Sequence, residues 1–384
     1  MLKWRFAVRG QLAFGGVLEA GAVVVEDDRI VEVLRAPRTG ALPSHIIDTA
    51  VVSPGLIDLQ VNGGFGVEVG PDPGALLTLA QRLPESGVTA YLPTLISSPS
   101  TTYQAAVAAF EAFLAAGDVL GAQALGFHLE GPFLSPERKG AHPRSAIEQA
   151  DRRLFDELLE CSRLRLMTLA PERPGGLERI RYLRHRGIHV SLGHTDATLE
   201  EFAAGVDAGA EMATHLYNAM SPFAHRAPGS IGGALSDDRV TVGLIADGIH
   251  SHPASLRLAV RAKGPERIAL VTDMMAAAGM PAGRYALGGQ TVLVDDQMAR
   301  LEDGTLAGAI VFLDQAIRNM VRWAGVTPAE AISMATEVPM RLLGIADRGR
   351  IIAGGYADLV LFDENLEVAT TFASGRPVYQ RRQP

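Results

Sequence analysis

The sequence is poor in cysteine, in basic charge and in long apolar runs, and each shortage closes a class of function. Cys161 is the only cysteine among 384 residues. No intrachain disulfide can form, which suits a reducing compartment, and a cytoplasmic location is expected. Lys and Arg number 35 against 43 Asp and Glu, a net charge of −8. Such a surface is not expected to partner nucleic acid or an anionic membrane, and any anionic ligand has to be met by a local basic site. No uncharged apolar run reaches the roughly 18 residues of a membrane-spanning helix. The opening stretch MLKWRFAVRGQ has neither a long apolar core nor a small-residue cleavage site, so it does not read as a secretory signal.

What is present is an ordinary globular composition, 47% hydrophobic and 20% charged, in a chain long enough to bury a large core. The first fifty residues alternate as strands do, with a hairpin VVVEDDRIVEV turning at Asp27-Asp28. The last thirty-five do the same, so one small β domain is expected from both termini, residues 1–53 plus 347–384. Between them, residues 54–346 hold eight short apolar runs: GLIDLQV, TAYLPTLI, ALGFHLEG, LRLMTLAPE, HVSLGHT, EMATHLYNA, TVGLIADGIH and RIALVTDMM. Amphipathic stretches such as TTYQAAVAAFEAFLAAG and ATLEEFAAGVDAG separate most of them. Eight strands alternating with helices predict an α/β fold, a (β/α)8 TIM-like barrel. A doubly wound open sheet is the alternative, but no GxGxxG turn follows a strand. An extra hairpin is expected over 284–304.

In such barrels the site lies at the C-terminal ends of the strands. The third run ends in Glu130 with His128 two before it, the fifth in His194, the sixth in His215, the seventh in Asp247 and His250, and the eighth in Asp273. Imidazole nitrogen and carboxylate oxygen suit a borderline-soft divalent cation, and catalytic sites leave one position open. Glu130, His194 and His215 form a set of that kind, and Asp273 is placed to take a proton from water and pass it on. Each residue has a plainer reading alone: a structural or exposed His, a Gly-Pro turn after HLEGPF, a helix N-cap. Their convergence from separate strands favours the metal. His128 reads as a neighbour supporting the site, and Cys161, His45, His185 and His189 as structural. One gap stands out. Residues 53–64, SPGLIDLQVNGG, place Gln60 and Asn62 where many metal-dependent hydrolases carry His-x-His.

The linked segments GFHLEGPFLSPERKGAH, SLGHTDAT, THLYNAMSPFAHRAPGSIG, ADGIHSHP and LVTDMMAAAG, with GTLAGA and GRIIAGGYADLVLFD, resemble the N-acetylglucosamine-6-phosphate deacetylase family of the amidohydrolase superfamily. The resemblance covers essentially the whole chain. It implies a barrel with a small β-sandwich and hydrolysis of a phosphorylated N-acetyl amino sugar to the free amine and acetate. Carried over, Glu130, His194 and His215 resemble the metal ligands and Asp273 the catalytic acid/base. His142 resembles the histidine that polarises the acetyl carbonyl. Ala141, Asn218 and Ala219 resemble sugar contacts, Arg226 and His250 the phosphate grip, and Leu306, Ala307 and Gly308 a loop closing over the acetyl group. One divalent ion per chain is expected, Zn²⁺ first, with Fe²⁺ or another divalent ion as alternatives. So is a homodimer, since in many such enzymes the arginine reaches a neighbour's site.

Three positions depart from the family's commoner pattern: HRAPG lacks an acidic residue between Arg and Pro, LAGA ends in Ala309 where Ser is frequent, and Gln60-x-Asn62 belongs to the variant with a reduced first-strand metal site. Other readings are a cyclic amidase or D-amino-acid deacylase, or a non-catalytic sugar-phosphate-binding barrel. The former lean on a first-strand His pair and a lysine ending the fourth strand, where this chain reads TLAPE. The latter should have lost ligands or acid/base, and all four candidates are present.

Overall fold

The computed structural model describes residues 4–35, 42–117 and 119–382. The first three residues of the opening stretch lie outside them, as do parts of the expected terminal β region. Both termini contribute to one seven-stranded mixed sheet, in the order Arg376–Gln380, Val368–Ala373, Leu359–Phe362, Ile46–Pro54, Arg5–Phe14, Val17–Glu26 and Arg29–Arg35. Only Arg5–Phe14 and Ile46–Pro54 run parallel; the other neighbours are antiparallel. Alternation puts Phe6, Val8, Leu12, Val23, Val25 and Leu361 into one buried cluster. The expected hairpin turns where Asp27 adopts a left-handed φ of 54°, a conformation that Asp tolerates better than most residues.

The eight apolar runs become eight parallel strands: Leu56–Val61, Val88–Ile96, Phe127–Glu130, Leu164–Leu169, His189–Leu192, Met212–Ala213, Thr241–Leu244 and Ile268–Leu270. Each pairs with the next in chain order. Leu56–Val61 and Val88–Ile96 are buried at every position, as strands covered on both faces must be. Eight parallel strands, nearly closed, make the expected TIM-like barrel. The seam between last and first strands closes beyond the regular ladder. There Asp273 N–H donates to Gln60 O at 3.0 Å and Asn62 N–H to Met274 O at 2.9 Å. Beneath that join, Asp58 accepts from the Thr272 hydroxyl at 2.5 Å.

Helices form the outer ring. Ser100–Ala115 buries Tyr103, Phe110 and Phe113. Leu199–Asp207 starts at a capping box, Thr198 with Glu201, which satisfies two otherwise orphaned donors. The expected extra hairpin is a three-stranded antiparallel sheet, Gly283–Leu287, Gln290–Val294 and Ala299–Leu301, and it brings Leu287 to the cavity and Gln290 to the Ala141 carbonyl. Among the described residues, no helix is long and apolar enough to cross a membrane.

Inside the barrel, Leu92, Leu166, Met212 and Val271 belong to one packed apolar cluster. Two residues further along, and therefore on the same strand face, stand Thr94 and Thr168. Thr168 joins His128 at 2.8 Å and Thr214 at 2.8 Å, and Thr214 joins Ser191 at 2.6 Å. The interior thus changes from apolar to hydrogen-bonded just below the mouth. That network is the floor of the site.

Candidate metal and active site

Glu130, His194 and His215 reach the mouth from the third, fifth and sixth strands and are all buried. Glu130 Oε1 lies 2.9 Å from His215 Nε2 and 3.2 Å from His194 Nε2, and the two nitrogens are 3.1 Å apart. Ligand atoms of one tetrahedral Zn²⁺ stand roughly 3.3 Å apart, given bonds of about 2.0–2.1 Å. Three lone-pair donors converging at this spacing fit one divalent cation. His194 Nδ1 lies 2.8 Å from the Arg138 carbonyl. A carbonyl only accepts, so Nδ1 carries the proton and the Nε2 lone pair faces the cluster, the arrangement a ligating imidazole needs.

The electrostatics follow the geometry. Burial alone would push Glu130 up, but hydrogen bonds from His142, His194 and His215 outweigh it and hold the carboxyl well below its ordinary range. Burial works against a charged His215, yet the bond to Glu130 raises it overall. Asp273 is pushed up to about 6, first by burial and then by the charge of Glu130. Its Oδ1 accepts from Asn62 Nδ2 at 2.6 Å and Gln60 Nε2 at 2.9 Å. His194, His215 and Asp273 have left-handed φ values of 47°, 29° and 52°. Backbone held in that region costs of order 1–3 kcal/mol per residue and persists where the surroundings over-determine it.

A cavity of about 330 Å³ opens above the cluster, within the range of small-ligand sites. Glu130, His142, His194, His215 and Asp273 form its deep end, and Ala141, Asn218, Ala219, His250, Leu306 and Gly308 line the rest. Burial pushes His142 down to about 4, with His194 adding to the shift. His250 Nδ1 bonds Asp247 Oδ2 at 2.6 Å. The Ala141 carbonyl is already taken by Gln290 Nε2 at 2.5 Å, from the three-stranded sheet. Two expected site residues are not brought in. Ala307 is fully buried in an apolar cluster with Met275 and Leu287. Arg226 is exposed, with its guanidinium 2.9 Å from His225 Nε2, and does not line its own chain's cavity.

Other placements sharpen the sequence reading. His128 bonds Leu59 O at 3.1 Å and Thr168, not Glu130, so it belongs to the floor. His189 pairs with Glu211, and His45 packs against Trp4 and Phe6. Ile96, Arg138, Leu287 and Thr305 also line the cavity; Arg138 and Thr305 lie within the quoted segments, but for none of the four is a role expected from sequence. Ser97, which holds His142 Nδ1 at 2.8 Å through its hydroxyl, follows the end of the second strand. Extending the strand-end rule to that strand would have found it.

Residues 51–378 match the amidohydrolase family, and the chain belongs to it as a hydrolase with a metal-site constellation at the barrel mouth. Its relatives within the family include deacetylases of phosphorylated N-acetylhexosamines. An N-acetylgalactosamine-6-phosphate deacetylase of Escherichia coli O157:H7 is 41% identical over 333 residues, 86% of this chain and 88% of that protein. The N-acetylglucosamine-6-phosphate deacetylase of Bacillus subtilis (strain 168) is also 41% identical, over 85% of this chain and 84% of the relative. Among solved structures, the N-acetylglucosamine-6-phosphate deacetylase of Pasteurella multocida superposes with a TM-score of 0.90 at 32% identity, covering 97% of this chain and 99% of that one. An aspartate-to-alanine mutant of the Mycobacterium smegmatis enzyme, in complex with N-acetyl-D-glucosamine-6-phosphate, also gives 0.90, at 31% identity over the same shares.

Proposed function

We propose that the chain hydrolyses the N-acetyl amide of N-acetylglucosamine 6-phosphate to glucosamine 6-phosphate and acetate. The observation that carries this reading is the buried Glu130–His194–His215 cluster with Asp273 beside it, at the floor of a cavity of amino-sugar size. Deacetylases with these names at about 40% identity support the substrate class.

One divalent ion, Zn²⁺ first among candidates, is held by Glu130, His194 and His215 in this reading. When bound, it supplies Lewis acidity that acidifies water and polarises a carbonyl oxygen. Asp273 takes the proton of the attacking water on its carboxylate and returns it to the amine nitrogen as the C–N bond breaks. His142 donates from Nε2 to the acetyl carbonyl oxygen as it gains negative charge. Asn218, Ala219 and Ala141 hold the sugar, Leu306 and Gly308 cover the acetyl group with Ala307 behind them, and His250 meets the phosphate. A single ion is favoured because Gln60 and Asn62 turn amide hydrogens toward Glu130 and Asp273, where a second cation would need lone pairs. Arg226 completes the phosphate grip of a neighbouring subunit, a role its outward exposure supports, so the working unit is a homodimer. The division into residues 1–53 plus 347–384 and 54–346, and a cytoplasmic location, belong to the same reading.

The C4 epimer, N-acetylgalactosamine 6-phosphate, is the second reading, favoured by the Escherichia coli relative at 41% identity. Acetate release from both phosphates and from unphosphorylated N-acetylglucosamine, after metal stripping and zinc readdition, separates the cases. Zinc-dependent release fastest from N-acetylglucosamine 6-phosphate is the expected result. A zinc-restored protein that releases acetate from none of them would overturn the reading.

A further inference from the structure

The group behind each imidazole decides what its other nitrogen can do. Behind His194 Nδ1 stands the Arg138 carbonyl, an acceptor, which leaves a lone pair on Nε2. Behind His142 Nδ1 stands the opposite: the backbone N–H of Ser97 at 3.1 Å and the Ser97 hydroxyl at 2.8 Å. A backbone N–H only donates, so His142 Nδ1 must accept. The proton of the neutral ring is then on Nε2, which faces the cavity 3.6 Å from Glu130 Oε2.

We infer that Ser97 is the positioning residue that fixes His142 as its Nε2–H tautomer, a hydrogen-bond donor to the reacting carbonyl rather than a ligand or a base. This explains why an imidazole so near Glu130 stays outside the ligand set. It also divides labour between the two groups able to move a proton here, leaving Asp273 with no competitor on the substrate side.

The surroundings fit this one purpose. Ser97 is fully buried, and Gly131, with φ 92°, makes room for its hydroxyl, since a Cβ there would collide with Ser97 Oγ. The segment is pinned on the far side by the Ser98 N–H donating to the Tyr103 hydroxyl at 3.3 Å. The His142 N–H donates to Lys139 O at 2.9 Å, fixing the ring's own backbone.

The inference rests on the deacetylase reading only for the identity of the carbonyl, and the test keeps the two apart. Zinc-loaded protein with nitrogen-15-labelled histidine is measured by NMR, with His142 assigned by the signal lost in His142→Asn. The expected spectrum shows a proton on His142 Nε2 and none on Nδ1, with the reverse at His194. A proton on His142 Nδ1 in the wild-type protein would overturn the inference whatever the enzyme does. Ser97→Ala removes the hydroxyl donor and keeps the backbone N–H; the proton should stay on Nε2 while the ring, held by one donor instead of two, is less well aimed, and kcat should fall several-fold with KM within about twofold. A proton on His142 Nδ1 in folded Ser97→Ala, or a wild-type kcat there, contradicts it, and if that variant does not fold the wild-type spectrum decides alone. His142→Asn keeps an acceptor for Ser97, but its shorter amide has no donor at the Nε2 position, and kcat should fall by about 100-fold or more. An undiminished kcat in His142→Asn, beside the expected wild-type spectrum, counts against the donor role in the deacetylase reading and leaves the tautomer standing.

Discussion

Asn62 donates its side-chain amide to Oδ1 of Asp273 at 2.6 Å, and Gln60 donates to the same oxygen at 2.9 Å from two residues earlier on the strand. Gln60 Nε2 also reaches Glu130 Oε1 at 3.0 Å. Two neutral amides thus occupy one oxygen of Asp273, a residue that lines the cavity. The residues standing at the first-strand His-x-His position instead orient a carboxylate.

Removing these donors should slow turnover more than it weakens binding. A hydrogen bond to a charged group contributes roughly 1.5–3 kcal/mol, so Asn62→Ala should lower kcat by at least about tenfold at nearly unchanged KM. The bond favours the ionised form of Asp273, so its loss raises that carboxyl further and moves the acidic limb of the kcat–pH profile to higher pH. A profile that stays in place, or a loss confined to KM, would reject the orienting role.

Arg226→Ala and His250→Ala should each lower kcat/KM for the 6-phosphate at least about tenfold, from the same loss of a charge-assisted bond. Activity on unphosphorylated N-acetylglucosamine should change little. For Arg226 the geometry adds a requirement, because its side chain points away from its own cavity. Mixing Arg226→Ala chains with chains inactivated at Asp273 should restore phosphate-dependent turnover if the arginine serves a neighbour. No restoration in the mixed population would contradict that.

Asp58 carries a pH dependence of stability. Burial raises its carboxyl from 3.8 to about 7, against hydrogen bonds from Thr272 and Gln60. Between those values the folded chain holds a proton that the unfolded chain has released, so stability falls as pH rises, and the full loss is reached above about pH 7. Three units correspond to about 4 kcal/mol. Asp58→Asn should therefore be more stable relative to wild type at pH 8 than at pH 4, measured by thermal unfolding at each pH. Parallel stability curves for the two proteins would rule this out.

Much of the fold was legible because parallel strands buried on both faces must be apolar along their length. All eight runs became barrel strands, and the Asp27-Asp28 turn fell where two acidic residues interrupt an apolar alternation. The buried cluster was legible because a barrel presents its chemistry at strand ends, so the convergence of Glu130, His194 and His215 could be read from position. What escaped depends on directions that sequence spacing does not encode. His128 sits two residues before Glu130, yet its bonds run down to Thr168 and across to Leu59, because the floor offers partners there. Arg226 lies in the expected loop after the sixth strand, but the loop turns its guanidinium outward. Ser97 follows the end of the second strand, to which the strand-end rule was not extended, and half of its hold on His142 is a backbone N–H that no residue type marks.

The central claim is that Asp273 moves the proton in hydrolysis of the N-acetyl amide, and Asp273→Asn tests it most directly. Asparagine keeps the shape but cannot take a proton. In zinc-loaded protein, the variant should bind N-acetylglucosamine 6-phosphate close to normally in calorimetry while acetate release falls well below a tenth of the wild-type kcat, a loss of at least about 1.4 kcal/mol in transition-state stabilisation. A zinc-loaded, folded Asp273→Asn that keeps more than about a tenth of wild-type kcat would contradict it.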